Sequence, residues 1–191
     1  MALPDKCESY TYEDYLHWPE EERWEIIAGV PYDMSPAPSR FHQYILFDIS
    51  GQIRDFLKDK PCQAYQAPFD VRIPNEDGIY DNVVQPDISV ICDKHKLDDA
   101  GCIGAPDLVI EILSPATASR DVKEKFNLYE RAGVKEYWIV DPHDKVVFVF
   151  ALEDNRQYGK PRIFSSDDTI DSAVIVGMVI DLGPVFTEKE M

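Results

Sequence analysis

The chain has 191 residues, 36 of them acidic and 19 basic, for a formal net charge of −17. That length supports a sizeable core and reads as one domain over residues 1–191, with its core about 11–186. So acidic a surface repels nucleic acid at long range, and a polyanionic substrate must be met by a local basic patch, by metal ions or by a partner protein.

No apolar run reaches the ~18 residues of a membrane span, and the opening MALPDKCESY lacks a basic and apolar leader. Cys7, Cys62, Cys92 and Cys102 form no CxxC pair. They are expected as reduced thiols of a cytoplasmic protein, not as zinc ligands or a disulfide frame.

In chain order, Thr11-x-x-Asp14 is a capping box that opens a short helix carrying Tyr12, Tyr15 and Leu16. Pro19 and the acidic run Glu20 to Glu22 end it. Arg23 to Met34 predicts a hairpin turning near Ala28-Gly29. Glu25 shares a face with Ile27 there, which in most hairpins is the solvated face. The stiff loop Ser35 to Ser39 precedes a helix capped by Ser39 and running to about Leu57. Ile45, Ile49, Ile53 and Phe56 recur at helical spacing, with His42 at the centre of the same face.

Cys62 to Ile73 alternates as one strand with Gln66, Asp70 and Arg72 as polar positions, and Asn75 to Gly78 is a turn. Val83 to Cys92 is the next strand. Asp87 holds a polar position in it, and Pro86 suggests an edge, a bulge or a strand start. Asp93 to Gly104 is a polar loop. After Asp141-Pro142 an antiparallel meander is expected over Val146 to Leu152, Gln157 to Phe164 and Ala173 to Leu182.

The centre of the chain is Asp107 to Pro142. Asp107 to Leu113 is an apolar run broken by one carboxylate, Glu111, and predicts a strand covered on both faces. Alternation sets Val109, Glu111 and Leu113 on one face and Ile110 and Ile112 on the other. A carboxylate there costs several kcal/mol unless a cation or hydrogen bonds meet it. A helix follows, with Ser119 as N-cap, Asp121 in its first turn and Gly133 as its C′ residue. Val122, Phe126 and Tyr129 share its apolar face, Lys125 lies on the shoulder beside Asp121, and Glu124 and Arg131 point to water. Glu136 to Asp141 returns as a strand. The strand–helix–strand unit is a crossover that lets Glu111 and Lys125 converge at one sheet edge.

Asp87 and Glu111 lie on successive buried strands, and both can face one cavity if those strands are neighbours. Two carboxylates suit a hard divalent ion, and a lysine beside them can hold a water or neutralise developing charge. A purely structural Glu111–Lys125 ion pair fits the same spacing, and spacing does not choose between the two.

Several blocks resemble the Uma-type family of the PD-(D/E)XK nuclease superfamily. They are Trp24-Glu25-Ile26-Ile27-Ala28-Gly29, Met34-Ser35-Pro36, Gln85-Pro86-Asp87-Ile88-Ser89-Val90, Pro106 to Pro115, Arg120-Asp121 with Lys125, and Tyr129 to Pro142. The likeness runs from about Thr11 to Phe186. It implies an α/β (α+β) restriction-endonuclease-like core, a mixed sheet flanked by helices, with an N-terminal hairpin and a C-terminal meander. It also implies cleavage of DNA phosphodiesters with Mg²⁺ or Mn²⁺. Carried over by position, Asp87 is the first metal-binding acid and Glu111 the second, with the Ile112 backbone carbonyl as a third ligand. Leu113 stands where the superfamily has its lysine. The substitute is expected from the following helix, as Lys125 with Lys123 second, and Asp121 would orient Lys125. Glu25 and His42 are supporting candidates. A homodimer with an interface on the meander is a further expectation. A non-catalytic binding or scaffold protein, or a hydrolase of a smaller phosphate ester, are the alternatives.

Overall fold

The computed structural model describes residues 8–19, 22–34, 37–115 and 117–187. Expectations for Cys7, Glu20, Glu21, Ser35 and Pro36 therefore lie outside the described residues. After α1 (Tyr12–Tyr15), β1 (Trp24–Ile27) and β2 (Val30–Asp33) form the N-terminal hairpin, turning at Ala28 and Gly29, both at positive φ. Glycine takes that conformation without strain. α2 (Arg40–Leu57) begins where Ser39 accepts from the His42 N–H, and it buries Ile45, Ile49 and Ile53 as the periodicity demands.

The two long strands expected between residues 62 and 92 are each broken. β3 (Gln63–Gln66) and β4 (Val71–Ile73) are separated by a cis Ala67–Pro68 bond and belong to different sheets. β5 (Asn82–Val84) and β6 (Ile88–Ile91) are divided at Gln85-Pro86-Asp87 and also change sheets. Proline cannot donate to a ladder, so each proline marks the change of sheet. The loop expected over 93–104 contains a short hairpin, β7 (Leu97–Asp98) and β8 (Gly101–Ile103).

β9 (Leu108–Ile112) is followed by α3 (Ala118–Arg120), a π turn over Asp121–Lys125, α4 (Phe126–Ala132) and β10 (Glu136–Asp141). β9 and β10 pair in parallel with Glu111 opposite Ile139, as a crossover requires. β11 (Val146–Ala151) and β12 (Arg162–Ser165) extend this sheet, whose order is β12-β11-β10-β9-β6-β3. The third meander strand is corrected. β13 (Thr169–Asp171) and β14 (Val179–Asp181) make a separate hairpin, and α5 (Leu182–Phe186) closes the described chain. The second sheet runs β2-β1-β5-β4-β8-β7.

The core lies on both faces of β9. Ile110 and Ile112 pack with Ile45, Ile49 and Ile53 of α2. Val109 on the other face packs with Leu128 and Tyr129 of α4 and with Val71, Ile73 and Val84 of the second sheet. The alternation read from the sequence is therefore the division between two cores. Among the described residues no helix is long and apolar enough to cross a membrane.

The expectation of reduced thiols is overturned by a disulfide between Cys62 and Cys92. Gln63 pairs with Ile91 across β3 and β6, so the flanking cysteines stand opposite one another. Sequence spacing could not show a register that only the sheet creates. Cys102 is a free, buried thiol.

Candidate active site

Antiparallel pairing of β6 with β9 sets Ile88 against Ile110, which brings Asp87 beside Glu111. The Asp87 N–H donates to Glu111 Oε2 at 3.4 Å, and Asp87 Oδ2 accepts the Ile112 N–H at 2.7 Å. Both carboxylates thus meet at one strand end. Ile112 enters the site through its main chain, with its N–H given to Asp87.

Glu111 is 3% exposed, and its Oε1 accepts from Lys125 Nζ and from the Tyr129 hydroxyl, each at 2.8 Å. Lys125 Nζ also lies 2.8 Å from Glu25 Oε1 and 3.7 Å from Asp121 Oδ1. The ammonium is therefore held by three carboxylates. The helical face expected for this segment is corrected by the π turn. Its i→i+5 bonding widens the helix and turns Asp121 and Lys125 inward, while Val122 is left 49% exposed. Lys123 is exposed and takes no part. The helix starts two residues earlier than expected, with Thr117 rather than Ser119 at its N-cap position.

Glu25, expected on a solvated face, is buried. Its Oε1 also accepts the Gln85 N–H at 2.9 Å, and its Oε2 accepts from Arg120 Nη1 at 3.1 Å. Arg120 lies over the Tyr32 ring and donates to the Asp33 carbonyl. His42 reaches the cluster from α2, with Nε2 3.2 Å from Asp87 Oδ2. Arg120 and Tyr129 are contributors that residue spacing missed. The only signals were Arg120 beside Asp121, and Tyr129 one turn after Lys125 on the inward face.

Four carboxylates, Glu25, Asp87, Glu111 and Asp121, face two permanent cations, Lys125 and Arg120. That excess of negative charge explains the titration behaviour. Burial pushes the Glu111 carboxyl well above its usual range; Lys125 draws it down, and Asp121, Asp87 and Glu25 raise it further. Asp121 is raised for the same reason, burial first. Burial alone would lower Lys125, but Glu111, Glu25 and Asp121 together hold its ammonium well above the ordinary lysine value. Burial likewise works against a charged His42, and its hydrogen bond to Asp87, the Asp87 charge and the Ile112 backbone outweigh it, so the net shift is upward.

This donor set fits a hard divalent cation in chemistry, being oxygen-rich and short of positive charge. Among the described residues no three His, Cys, Asp or Glu side chains converge on one metal-binding point. Lys125 already holds Glu25 Oε1 and Glu111 Oε1, while Glu111 Oε2 accepts the Asp87 N–H and Asp87 Oδ2 meets the Ile112 N–H and His42 Nε2. A cleft of about 440 Å³ nearby is lined by Tyr15, Tyr65, Phe69, Asp70, Gln85 and Asp98, and not by Glu111 or Lys125. It meets the cluster through Gln85.

A crystal structure described as "a putative nuclease belonging to DUF820", from Anabaena variabilis ATCC 29413, is similar to this chain with a TM-score of 0.74. At 23% identity, covering 93% of this chain and 97% of that one, the likeness shows a shared restriction-endonuclease-like fold of mixed α+β class. An uncharacterized protein of Synechocystis sp. is 33% identical over 119 residues, 61% of this chain, and the match spans 60% of that relative's length. The family profile described as "Putative restriction endonuclease" matches residues 12–183, from α1 to α5 and across every residue of the cluster, and the chain belongs to that family, Uma2.

Proposed function

We propose that this protein is a nuclease that hydrolyses DNA phosphodiesters with a divalent ion, Mg²⁺ or Mn²⁺, at the Asp87–Glu111–Lys125 cluster. The observation that carries this is the buried Lys125 ammonium, 2.8 Å from both Glu25 and Glu111, with Asp87 beside Glu111 on the neighbouring strand. A buried cluster with surplus carboxylates is a poor way to gain stability and a good way to concentrate charge for catalysis.

Asp87 and Glu111, with the Ile112 carbonyl, would hold the ion. When bound, such an ion lowers the pKa of a water and polarises the phosphate. Lys125 stays charged at any working pH, so it serves as a donor and not as a base. It holds the attacking water or steadies charge on the phosphoryl oxygens. Asp121, Glu25 and Tyr129 fix its position directly or through Glu111. The family's description and the nuclease fold support this reading.

A homodimer is part of the proposal, because cutting both strands of a duplex takes two sites. Val176 and Val179, exposed on the C-terminal hairpin, support an interface there. The cytoplasmic location expected from the sequence is not favoured by the Cys62–Cys92 disulfide, which suits an oxidising environment.

The net charge of −17 favours a second reading, a hydrolase of a smaller phosphate ester that needs no broad basic face. End-labelled duplex DNA and a small phosphodiester, each incubated with Mg²⁺, with Mn²⁺ and with chelator, separate the two. The proposal expects metal-dependent cutting of DNA. Turnover of the small ester alone moves the function to the second reading, and turnover of neither leaves a binding or scaffold protein.

A further inference from the structure

We propose that the cleft beside the cluster is a nucleobase subsite, which takes one base out of the stack next to the scissile phosphate and so favours single-stranded DNA over duplex. The inference rests on the nuclease reading above and concerns the part of the substrate that the cluster does not touch.

The cleft of about 440 Å³ is large enough for a planar heterocycle. Its apolar wall is Tyr65 and Phe69, stacked with centroids 4.2 Å apart and planes at 6°, and Tyr15 also lines it. All three rings are half-buried. From Tyr15 the rings continue to Trp18 at 5.6 Å and from there to Trp24 at 5.9 Å, both again half-buried. Stacking on a ring tolerates any base, and a row of rings suits successive bases of one strand. An organic cation would use the rings and carboxylates of the cleft, but has no use for the row.

The polar side of the cleft receives N–H donors and turns phosphate away. Asp70 Oδ1 accepts from Gln85 Nε2 at 2.9 Å and from the Tyr15 hydroxyl at 3.4 Å, while Oδ2 takes no bond among the described residues. Burial raises the Asp70 carboxyl despite those two bonds. Asp98 is engaged by Arg72 and by the Ala100 N–H, and Asp99 is exposed. A carboxylate reads the amino group of cytosine, so Asp70 favours cytosine over thymine. Gln85 joins the cleft to the cluster, for its side chain reaches Asp70 and its N–H is given to Glu25 Oε1 at 2.9 Å. A base in the cleft therefore adjoins a phosphate at Asp87, two residues along the chain. At a net charge of −17, phosphate contacts are a weak source of affinity, and stacking supplies another.

The test is fluorescence anisotropy of short labelled DNA mixed with the full-length protein in chelator, where no cutting occurs. A mixed-sequence single strand is expected to bind about tenfold more tightly than its own duplex. The preference should persist as salt rises, because it does not come from phosphate contacts. The same strand with abasic positions should lose it, and oligo-dC should bind more tightly than oligo-dT. Phe69→Leu is expected to weaken the single strand about tenfold, and Asp70→Asn to level dC with dT. The comparisons between strands use wild type, so they do not depend on how a variant folds. Equal binding of strand and duplex, of abasic and base-bearing strands, or of dC and dT overturns the subsite, as does binding of none. Metal-dependent cutting of duplex DNA by the same preparation would then leave the nuclease reading standing, and its absence would remove both.

Discussion

Glu25 Oε1 lies 2.8 Å from Lys125 Nζ, joining the N-terminal hairpin to the π turn after β9. Glu111 shares the same ammonium at the same distance. The pair therefore ties the second sheet to the crossover helix around one buried charge.

Removing that charge strands its partners. Lys125→Met leaves Glu25, Glu111 and Asp121 facing one another in a buried site, and breaking a buried pair in this way costs about 3–5 kcal/mol. Urea unfolding at neutral pH should register that loss, together with loss of cleavage. Glu25→Gln keeps the shape and removes one charge, so it should be milder in stability than Lys125→Met.

The pH dependence of the metal-free protein follows from Glu111. Its folded-state pKa is raised above the usual 4.5, so folded Glu111 binds a proton more tightly than unfolded Glu111. The associated stability is fully present below 4.5 and is lost as pH rises from there through the folded value. With chelator present, Glu111→Gln should therefore gain on wild type between pH 4.5 and neutrality. Urea midpoints of the two proteins across that window measure it, and parallel curves would remove Glu111 as the source.

Tyr129 donates to Glu111 Oε1 from inside the core. Tyr129→Phe leaves a charged acceptor short of one bond, which costs about 1–3 kcal/mol. The variant should fold, unfold at lower urea, and cleave more slowly at saturating metal. An unchanged rate would confine Tyr129 to a packing role.

The Cys62–Cys92 disulfide closes the loop that contains Asp87. Constraining a loop of that size contributes about 2–4 kcal/mol. Cys62→Ala with Cys92→Ala should lower the unfolding free energy by that amount, and a reductant should do the same to wild type. Cys102→Ala serves as the control that keeps the bridge.

Much of the fold and part of the cluster are legible in the sequence. Glu111 stands out because a lone carboxylate in an apolar strand demands a partner, and Lys125 follows because it lies one turn from Tyr129. Helix α2, its Ser39 cap and the central crossover are read from periodicity and capping alone. The burial of Glu25 is not legible, because alternation in a hairpin says which residues share a face and not which face is covered. Here the covering comes from Arg120 and Lys125, distant in the chain. The π turn is hidden too. Periodicity assumes an α-helix, and in the π turn Asp121 and Lys125 are buried while Val122 is exposed. Pro86 reads as an edge, a bulge or a strand start, whereas Pro68 falls inside a strand read as continuous, and that the chain changes sheets at each depends on pairing with strands elsewhere.

The central claim is that Asp87, Glu111 and Lys125 form a catalytic metal site, and plasmid cleavage in Mg²⁺ and Mn²⁺ at low salt tests it most directly. Wild type is run beside Glu111→Ala and Lys125→Ala, all purified identically. Metal-dependent cutting by wild type, lost in both variants, is the predicted result. Equal cutting by all three proteins would contradict the claim.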